Sequence, residues 1–257
     1  MEHDSGAHWA EPFPNHHRQT EDERLLESVE ELETIGRDAW RIFRIMGEFV
    51  EGFEEMTKVG PAVSIFGSAR VQPDHPQYQL CVETARLIGE SGFAIITGGG
   101  PGIMEAANRG AREAGARSVG CNIELPFEQH MNPYVDVSID FRYFFVRKTM
   151  FVKYAQAFVI FPGGFGTMDE LFESLTLIQT GKVRHFPVVL MGKEYWGGLV
   201  AWLRDRMAVE GKIAPTDLDL LFVTDDPVEA RDHVVQRFER RKEILKGNLP
   251  SDWSPER

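Results

Sequence analysis

The chain has 257 residues, of which 42% are hydrophobic and 26% charged, which suits one or two globular domains and excludes a fibre or a wholly disordered chain. Its formal net charge of −12 repels the phosphate backbone of DNA and RNA and argues against a nucleic-acid partner. No apolar run reaches the ~18 residues that a membrane span requires. The two cysteines form no disulfide framework, and the polar N-terminus lacks a secretory signal, so we expect a cytoplasmic protein.

The first 59 residues hold 15 acidic and 6 basic residues and differ in pattern from the rest. Residues 1–19 carry four histidines without hydrophobic periodicity, which predicts a flexible tail rather than a metal site. A capping box at Thr20 opens residues 20–59, which we predict to be a helical extension of two or three helices. Its apolar positions recur at helical spacing: Leu25, Val29, Leu32, Trp40, Phe43, Met46, Val50 and Phe53. Its glycines are expected to break or bend the helices: Gly36, Gly47 and Gly52.

Residues 60–246 alternate between short apolar runs and amphipathic stretches, whereas residues 247–257 have the composition of a C-terminal tail. Apolar strands separated by helices are typical of a buried parallel sheet with helices on both faces. We therefore predict an α/β fold with a Rossmann-like doubly wound parallel sheet and flanking helices. The predicted strands are 62–66, 93–97, 118–123, 135–141, 157–161, 187–191 and 221–224. The predicted helices are 78–90, 103–114, 145–154, 168–179, 196–209 and 228–245.

Three turns stand where a predicted strand meets a predicted helix, which is where doubly wound sheets bind ligands. They cover residues 66–70, 97–105 and 161–170. Glycine lets backbone N–H groups approach a ligand closely, and the N-terminus of the following helix attracts an anion. Two glycine-rich turns, with Ser68 and Arg70 on a third, indicate a phosphorylated ligand. Neither glycine-rich turn fits the dinucleotide or triphosphate-loop pattern, so a mononucleotide or sugar phosphate is favoured over NAD or ATP.

Candidate catalytic groups lie on two of the predicted helices. Glu170 stands just inside the helix expected to begin after Gly166, where the helix dipole should keep its carboxylate ionised. A purely capping role is the simpler reading of such an acid. Arg147 and Lys148 belong to a basic and aromatic stretch in an acidic chain, and a solvated helix face is the simpler reading of that pair.

Residues 162–170 resemble the PGGxGTxxE signature of the LOG family of cytokinin-activating phosphoribohydrolases, which were once described as possible lysine decarboxylases. Arg147 and Lys148 match the family's companion Arg-Lys element, and residues 98–104 match its first glycine-rich loop. The resemblance extends over about residues 60–245. The N-terminal extension is similar to that of the longer branch of the family, whose members form larger assemblies.

The resemblance implies hydrolysis of the N-glycosidic bond of N6-prenylated adenosine 5′-monophosphate to the free base and ribose 5-phosphate, with no metal or other cofactor. Glu170 would stabilise the positively charged sugar and orient a water molecule, with Arg147 as its catalytic partner. The residues implied to hold the phosphate and nucleotide are Ser68, Arg70, Gly98, Gly99, Gly100, Gly102, Lys148, Gly163, Gly164, Gly166 and Thr167.

Other functions stay open at this point. One alternative is a general purine nucleoside 5′-monophosphate nucleosidase, and another is a nucleotide-binding carrier or regulator without turnover. Lysine decarboxylation is least favoured, because no lysine has the context of a Schiff base. The apolar stripe of residues 20–59 covers either its own domain or a neighbouring subunit. The resemblance favours a subunit, and therefore a homo-oligomer that is at least a dimer and has an even number of chains.

Overall fold

The structure, a computed structural model, describes residues 19–26, 34–125, 130–183 and 186–248, and for residues 34–39 the backbone alone. Within these residues a seven-stranded sheet forms the centre, and every strand pair in it is parallel. The strands are β1 (Ala62–Phe66), β2 (Ala94–Thr97), β3 (Ser118–Ile123), β4 (Val137–Phe141), β5 (Ala155–Ile160), β6 (Val188–Met191) and β7 (Leu221–Thr224).

Helices precede the sheet and connect its strands. They are α1 (Glu21–Leu26), α2 (Thr34–Thr57), α3 (Pro76–Glu90), α4 (Ile103–Glu113), α5 (Phe144–Tyr154), α6 (Phe165–Gln179), α7 (Lys193–Trp202) and α8 (Pro227–Leu245). A π-helical turn over Leu203–Ala208 continues α7, and a 3-10 helix over Pro215–Leu220 leads into β7.

The strand order is β4-β3-β2-β1-β5-β6-β7. The chain therefore builds outward from β1 to β4 and then returns to place β5 against the free side of β1. The β1–β5 pair aligns Ser64 with Phe158 and Phe66 with Ile160. This order confirms the doubly wound Rossmann-like sheet, and it places the topological switch point, where such sheets bind ligands, between β1 and β5.

Apolar side chains bury both faces of the sheet, as expected for a parallel sheet with helices on each side. The cluster beneath α3, α4 and α8 includes Ile65, Ile95 and Val234, all fully buried. The cluster on the opposite face includes Met56 from α2 and Met150 from α5. The two helical layers thus complete the architecture predicted from the alternating apolar runs and amphipathic stretches.

The predicted elements correspond to the observed ones, with differences at their ends. The bounds of β1, β3 and β7 are as predicted, whereas β5 begins two residues earlier, at Ala155. Helix α6 begins at Phe165 rather than at residue 168, and this earlier start matters for the site. Helix α7 begins at Lys193 and turns π-helical after Trp202 instead of continuing as one α-helix to residue 209.

The glycines of α2 do not interrupt it, so the expected breaks at Gly36, Gly47 and Gly52 are wrong. Packing explains Gly52. A Cβ there would lie 2.8 Å from the Cε atom of Met150 and 3.2 Å from the ring of Phe141, so glycine lets α2 lie close to α5 and β4. The helix is retained because this close packing offsets the low helix propensity of glycine.

Helix α2 presents one face to the core and leaves a second apolar face in solvent. Met56 is fully buried, and Ile45 and Phe49 pack against the same core cluster. The second face is exposed and comprises Trp40, Phe43, Met46, Val50 and Phe53. Val29 and Leu32, predicted to belong to the same stripe, lie outside the described residues, as do residues 1–18 and 249–257 of the predicted tails. The proposed boundary between residues 59 and 60 stays a prediction.

No helix in the described ranges has both the length and the apolar character needed to cross a lipid bilayer.

Candidate functional site

An open cleft lies at the switch point, where β1 and β5 end side by side. The loops that follow these strands are joined by a hydrogen bond of 3.0 Å from the Ser68 N–H to the Pro162 carbonyl oxygen. The cleft has a volume of about 660 Å³. It brings together five of the predicted binding residues: Ser68, Arg70, Gly164, Gly166 and Thr167. Phe66, Gly67, Ala69, Met104 and Phe165 complete its lining.

The N-terminus of α6 forms one wall of this cleft. Gly164 is the N-cap, no side chain caps the helix, and the first helical hydrogen bond runs from the Met168 N–H to the Gly164 carbonyl oxygen. The N–H groups of Phe165, Gly166 and Thr167 therefore have no acceptor among the described residues. Free N–H groups and the positive end of a helix dipole are features that favour an anion.

Close packing explains Gly163. A Cβ on Gly163 would collide with the hydroxyl group of Thr167, so glycine lets the first turn of α6 fold back over the loop. Thr167 is buried and lines the cleft next to the free N–H groups. The two predicted residues are therefore brought together, with Gly163 supporting the wall rather than lining the cleft.

The loop after β2 packs tightly against the loop after β1. Gly102 has a φ of +69°, and a Cβ there would overlap the Ser68 carbonyl oxygen, which accepts a hydrogen bond of 3.0 Å from the Ile103 N–H. Gly99 has a φ of +74° and lies against the sulfur of Met131. Both positions require glycine for conformation and for space. These predicted residues hold the cleft's second wall in place.

Asn132 fixes this loop, and the sequence interpretation missed it. Its side-chain nitrogen lies 3.0 Å from the carbonyl oxygens of both Gly99 and Gly100 and 2.9 Å from Asn108 Oδ1. Its own N–H donates to the Gly99 carbonyl oxygen at 2.8 Å. Asn132 is buried, 33 residues from the loop that it binds, and no spacing in the sequence signals that contact.

Arg147 lies on α5 with its guanidinium directed under the Gly98 loop. The absence of a side chain on Gly98 provides the space that the guanidinium occupies, and Cζ lies 5.1 Å from the centre of the Phe151 ring. The Nε atom is buried and has no hydrogen-bond partner among the described residues. Burial lowers the pKa of the Arg147 guanidinium, an effect that the nearby charge of Glu170 partly opposes. Arg147 is therefore no part of a solvated helix face.

Glu170 lies in the second turn of α6 and is 9% exposed. Its Oε2 atom is buried without a hydrogen-bond partner in the described part of the chain. Burial, and then the charge of Glu173, raise the pKa of the Glu170 carboxyl to about 8, although Arg147 and Lys148 oppose the rise. A carboxyl group with this pKa is mostly protonated at pH 7 and releases its proton around pH 8.

The expectation that the helix dipole keeps Glu170 ionised is wrong. The helix dipole acts mainly within the first turn of a helix. Because α6 begins at Phe165, Glu170 lies beyond that turn, and burial outweighs the remaining effect of the dipole on its pKa.

Lys148 does not line the cleft. Its ammonium nitrogen lies 3.0 Å from Asp169 Oδ1 and 3.2 Å from Glu173 Oε2, so it ties α5 to α6. These two ion pairs also place a positive charge close to Glu170. A direct contact between Lys148 and a nucleotide stays a prediction.

Carboxylates from the N-terminal helices cap α5, the helix that carries Arg147. Glu48 Oε2 accepts hydrogen bonds from the N–H groups of Arg142 at 3.1 Å and Tyr143 at 3.4 Å. Asp22 Oδ2 accepts one from the Phe144 N–H at 3.1 Å. These bonds satisfy N–H groups that no neighbouring side chain caps. The extension therefore fixes the start of the helix that carries Arg147.

Comparisons with known proteins found a matching family model and several relatives in sequence. Residues 104–234 match the sequence model of the family described as "Possible lysine decarboxylase". A cytokinin riboside 5′-monophosphate phosphoribohydrolase of Mycobacterium tuberculosis is 30% identical over 164 residues, which cover 62% of this chain and 86% of that protein. A probable enzyme of the same name from Oryza sativa is 31% identical over 143 residues, or 54% of this chain and 57% of that protein.

Solved structures show the same fold. The molybdenum cofactor carrier protein of Chlamydomonas reinhardtii superposes with a TM-score of 0.52 at 23% sequence identity, over 70% of this chain and 99% of that one. At this identity the likeness concerns the fold alone.

Proposed function

Because the chain belongs to the LOG family, whose sequence model carries the description of a possible lysine decarboxylase, we propose that it hydrolyses the N-glycosidic bond of nucleoside 5′-monophosphates. The products are the free base and ribose 5-phosphate, and N6-prenylated adenosine 5′-monophosphate is the substrate that we favour. The observation that carries the proposal is a pair of buried atoms, Arg147 Nε and Glu170 Oε2, that have no hydrogen-bond partner within the described ranges and lie near the uncapped N-terminus of α6.

The 5′-phosphate binds in this proposal at the N-terminus of α6. The free N–H groups of residues 165–167 supply donors, and the hydroxyl group of Thr167 lies beside them. The exposed guanidinium of Arg70 on the facing wall adds a positive charge and a planar set of donors suited to phosphate. A phosphate held here directs the ribose toward Arg147 and Glu170.

The ionised carboxylate of Glu170 then acts on the sugar. As the bond between C1′ and the base breaks, its electron pair leaves with the base and positive charge develops on the ribose ring. The carboxylate stabilises that charge and orients a water molecule that adds to C1′, while the departing base takes up a proton. Arg147, packed beneath the Gly98 loop, holds the Glu170 carboxylate and the substrate in the correct relative orientation. Burial from water strengthens the electrostatic interactions of both the Glu170 carboxylate and the Arg147 guanidinium.

A panel of substrates tests the proposal and separates it from its alternatives. The purified chain is incubated with AMP, N6-prenylated AMP and GMP, and with the matching nucleosides, which lack the phosphate. Faster base release from prenylated AMP supports the favoured substrate, and equal rates on AMP and GMP indicate a general purine nucleotide nucleosidase. Nucleotide binding without base release indicates a carrier or regulator. Nucleosides should react poorly in every catalytic case, because the phosphate supplies much of the binding.

We further propose that two copies of the chain associate through the exposed apolar face of α2 in the cytoplasm. This face carries Phe43, Met46 and Val50, which remain exposed in the single chain. The exposed charges along α2 change sign, from Arg44 in its first half to Glu51 and Glu54 in its second half. Two such helices pair antiparallel with opposite charges facing, so the isologous contact of a dimer suits this face.

A further inference from the structure

The carbonyl oxygen of Gly163 is held by a side chain from a neighbouring strand-helix unit. The hydroxyl group of Tyr195, on α7, donates a hydrogen bond of 2.6 Å to this oxygen. We propose that Tyr195 is a positioning residue that directs the N–H group of Gly164 into the cleft, where it donates to the 5′-phosphate. This inference rests on the proposed function for the identity of the anion, and on the structure for the geometry.

The position of Tyr195 is set before any ligand binds. Gly192 follows β6 with a φ of +107°, and a Cβ there would lie 3.4 Å from the ring of Pro162, so the turn brings α7 against the loop after β5. Trp196, the residue after Tyr195, is fully buried, and its Nε1 donates to the Met191 carbonyl oxygen at 3.0 Å. The Tyr195 ring packs edge-on against Trp196, with 4.9 Å between ring centres. The phenol is thereby preorganised.

Peptide geometry transmits this contact to the cleft. The described chain has no cis peptide bond, so the Gly163 carbonyl and the Gly164 N–H point in opposite directions. Gly164 lines the cleft, whereas Gly163 and Tyr195 do not. Holding the oxygen on the Tyr195 side therefore directs the N–H toward the cleft, where no described residue accepts from it. The opposite orientation would turn a carbonyl oxygen toward the anion and repel it.

Glycine allows both orientations of this peptide, which is why an external hydrogen bond is needed. Gly163 and Gly164 flank it, and a Cβ on Gly164 would meet no atom within 4 Å. Neither residue resists a rotation of the peptide plane as a residue with a side chain would. Loss of the Tyr195 hydroxyl should therefore weaken anion binding without altering Glu170 or Arg147.

The test compares Tyr195→Phe with Tyr154→Phe. Both substitutions remove one hydroxyl group that contacts a backbone carbonyl oxygen, but the Tyr154 hydroxyl lies 3.3 Å from the Phe53 oxygen, away from the cleft. Calorimetry measures the Kd of inorganic phosphate and of ribose 5-phosphate, and steady-state kinetics measures KM and kcat for the nucleotide. Equal melting temperatures of each variant and the parent chain establish that the fold is kept.

We expect Tyr195→Phe to raise both Kd values and KM by about threefold to tenfold, the range for one net hydrogen bond, with kcat within about twofold. Tyr154→Phe should change none of these values. Unchanged Kd values in Tyr195→Phe, or a loss confined to kcat, would overturn the proposal, as would a parent chain that binds neither anion. If the parent binds ribose 5-phosphate but releases no base, the proposed hydrolysis fails while the calorimetric comparison still tests Tyr195.

Discussion

The Arg147 guanidinium occupies the space that a side chain on Gly98 would need, because a Cβ on Gly98 would overlap the Nη2 atom of Arg147. The glycine-rich loop after β2 therefore leaves space for the guanidinium. It lies over a partly buried guanidinium whose buried Nε atom has no hydrogen-bond partner in the described structure. A buried, unpaired donor costs free energy of folding, which supports the proposed role of Arg147 toward substrate.

Replacing Gly98 by alanine should displace the Arg147 guanidinium and reduce kcat/KM by about 100-fold, the cost of a misplacement of about 1 Å in an active site. Steady-state kinetics with AMP or its prenylated form checks this. Gly198→Ala on α7 is the matched control, because a Cβ there meets no atom within 4 Å. It should retain activity and stabilise the helix by about 0.5–1 kcal/mol. Full activity in Gly98→Ala would contradict the role given to Arg147.

Replacing Glu170 by glutamine should stabilise the protein at pH 7.5. The pKa of this carboxyl rises from an ordinary value of 4.5 to about 8 on folding, so the folded state binds a proton that the unfolded state has released. The contribution of Glu170 to stability is therefore fully present below pH 4.5 and is lost as the pH rises through about 8. The neutral amide carries no such dependence.

Thermal unfolding of the two proteins at several pH values measures this difference. The melting temperature of Glu170→Gln should exceed that of the parent at pH 7.5, by roughly 2–4 °C for each kcal/mol, and the difference should shrink toward pH 4.5. A variant that melts lower than the parent at pH 7.5 would show that Glu170 is held ionised in the folded chain.

The raised pKa of the Glu170 carboxyl also determines the pH dependence that we expect for catalysis. If the ionised form of Glu170 is active, kcat/KM should rise about tenfold between pH 7 and pH 9.5 and level off with an apparent pKa near 8. Measurements above pH 7 avoid the second ionisation of the substrate phosphate, which lies near pH 6. A flat or falling profile over this range would contradict the role of an ionised carboxylate.

Much of the fold could be predicted because apolar runs and helical periodicity are local properties. The contacts that complete the site are not local. Asn132 reaches the Gly99 loop from 33 residues away, Tyr195 reaches Gly163 from 32, and Glu48 caps α5 from 94. The pKa of Glu170 depends on burial in three dimensions, which its position in a motif does not reveal.

The proposed assembly through the exposed apolar face of α2 can be tested by substitution. Truncation before Val59 is unsuitable as a test, because it would remove Met56 from the core and Glu48 from α5. Val50→Glu instead places two carboxylates in the proposed interface, whereas Val209→Glu makes the same change at another exposed valine. Light scattering should give an even-numbered oligomer for the parent and for Val209→Glu, and smaller species for Val50→Glu. A monomeric parent, or an oligomer unaffected by Val50→Glu, would contradict this assembly.

The most direct test of N-glycosidic hydrolysis through Glu170 is product analysis with the parent chain and Glu170→Gln. Each is incubated with prenylated AMP and with AMP, and the free base and ribose 5-phosphate are quantified by chromatography. We expect equal amounts of the two products from the parent and a rate at least about 100-fold lower for the folded Glu170→Gln variant. A folded parent that releases no base from either nucleotide, or a glutamine variant with nearly full activity, would contradict it.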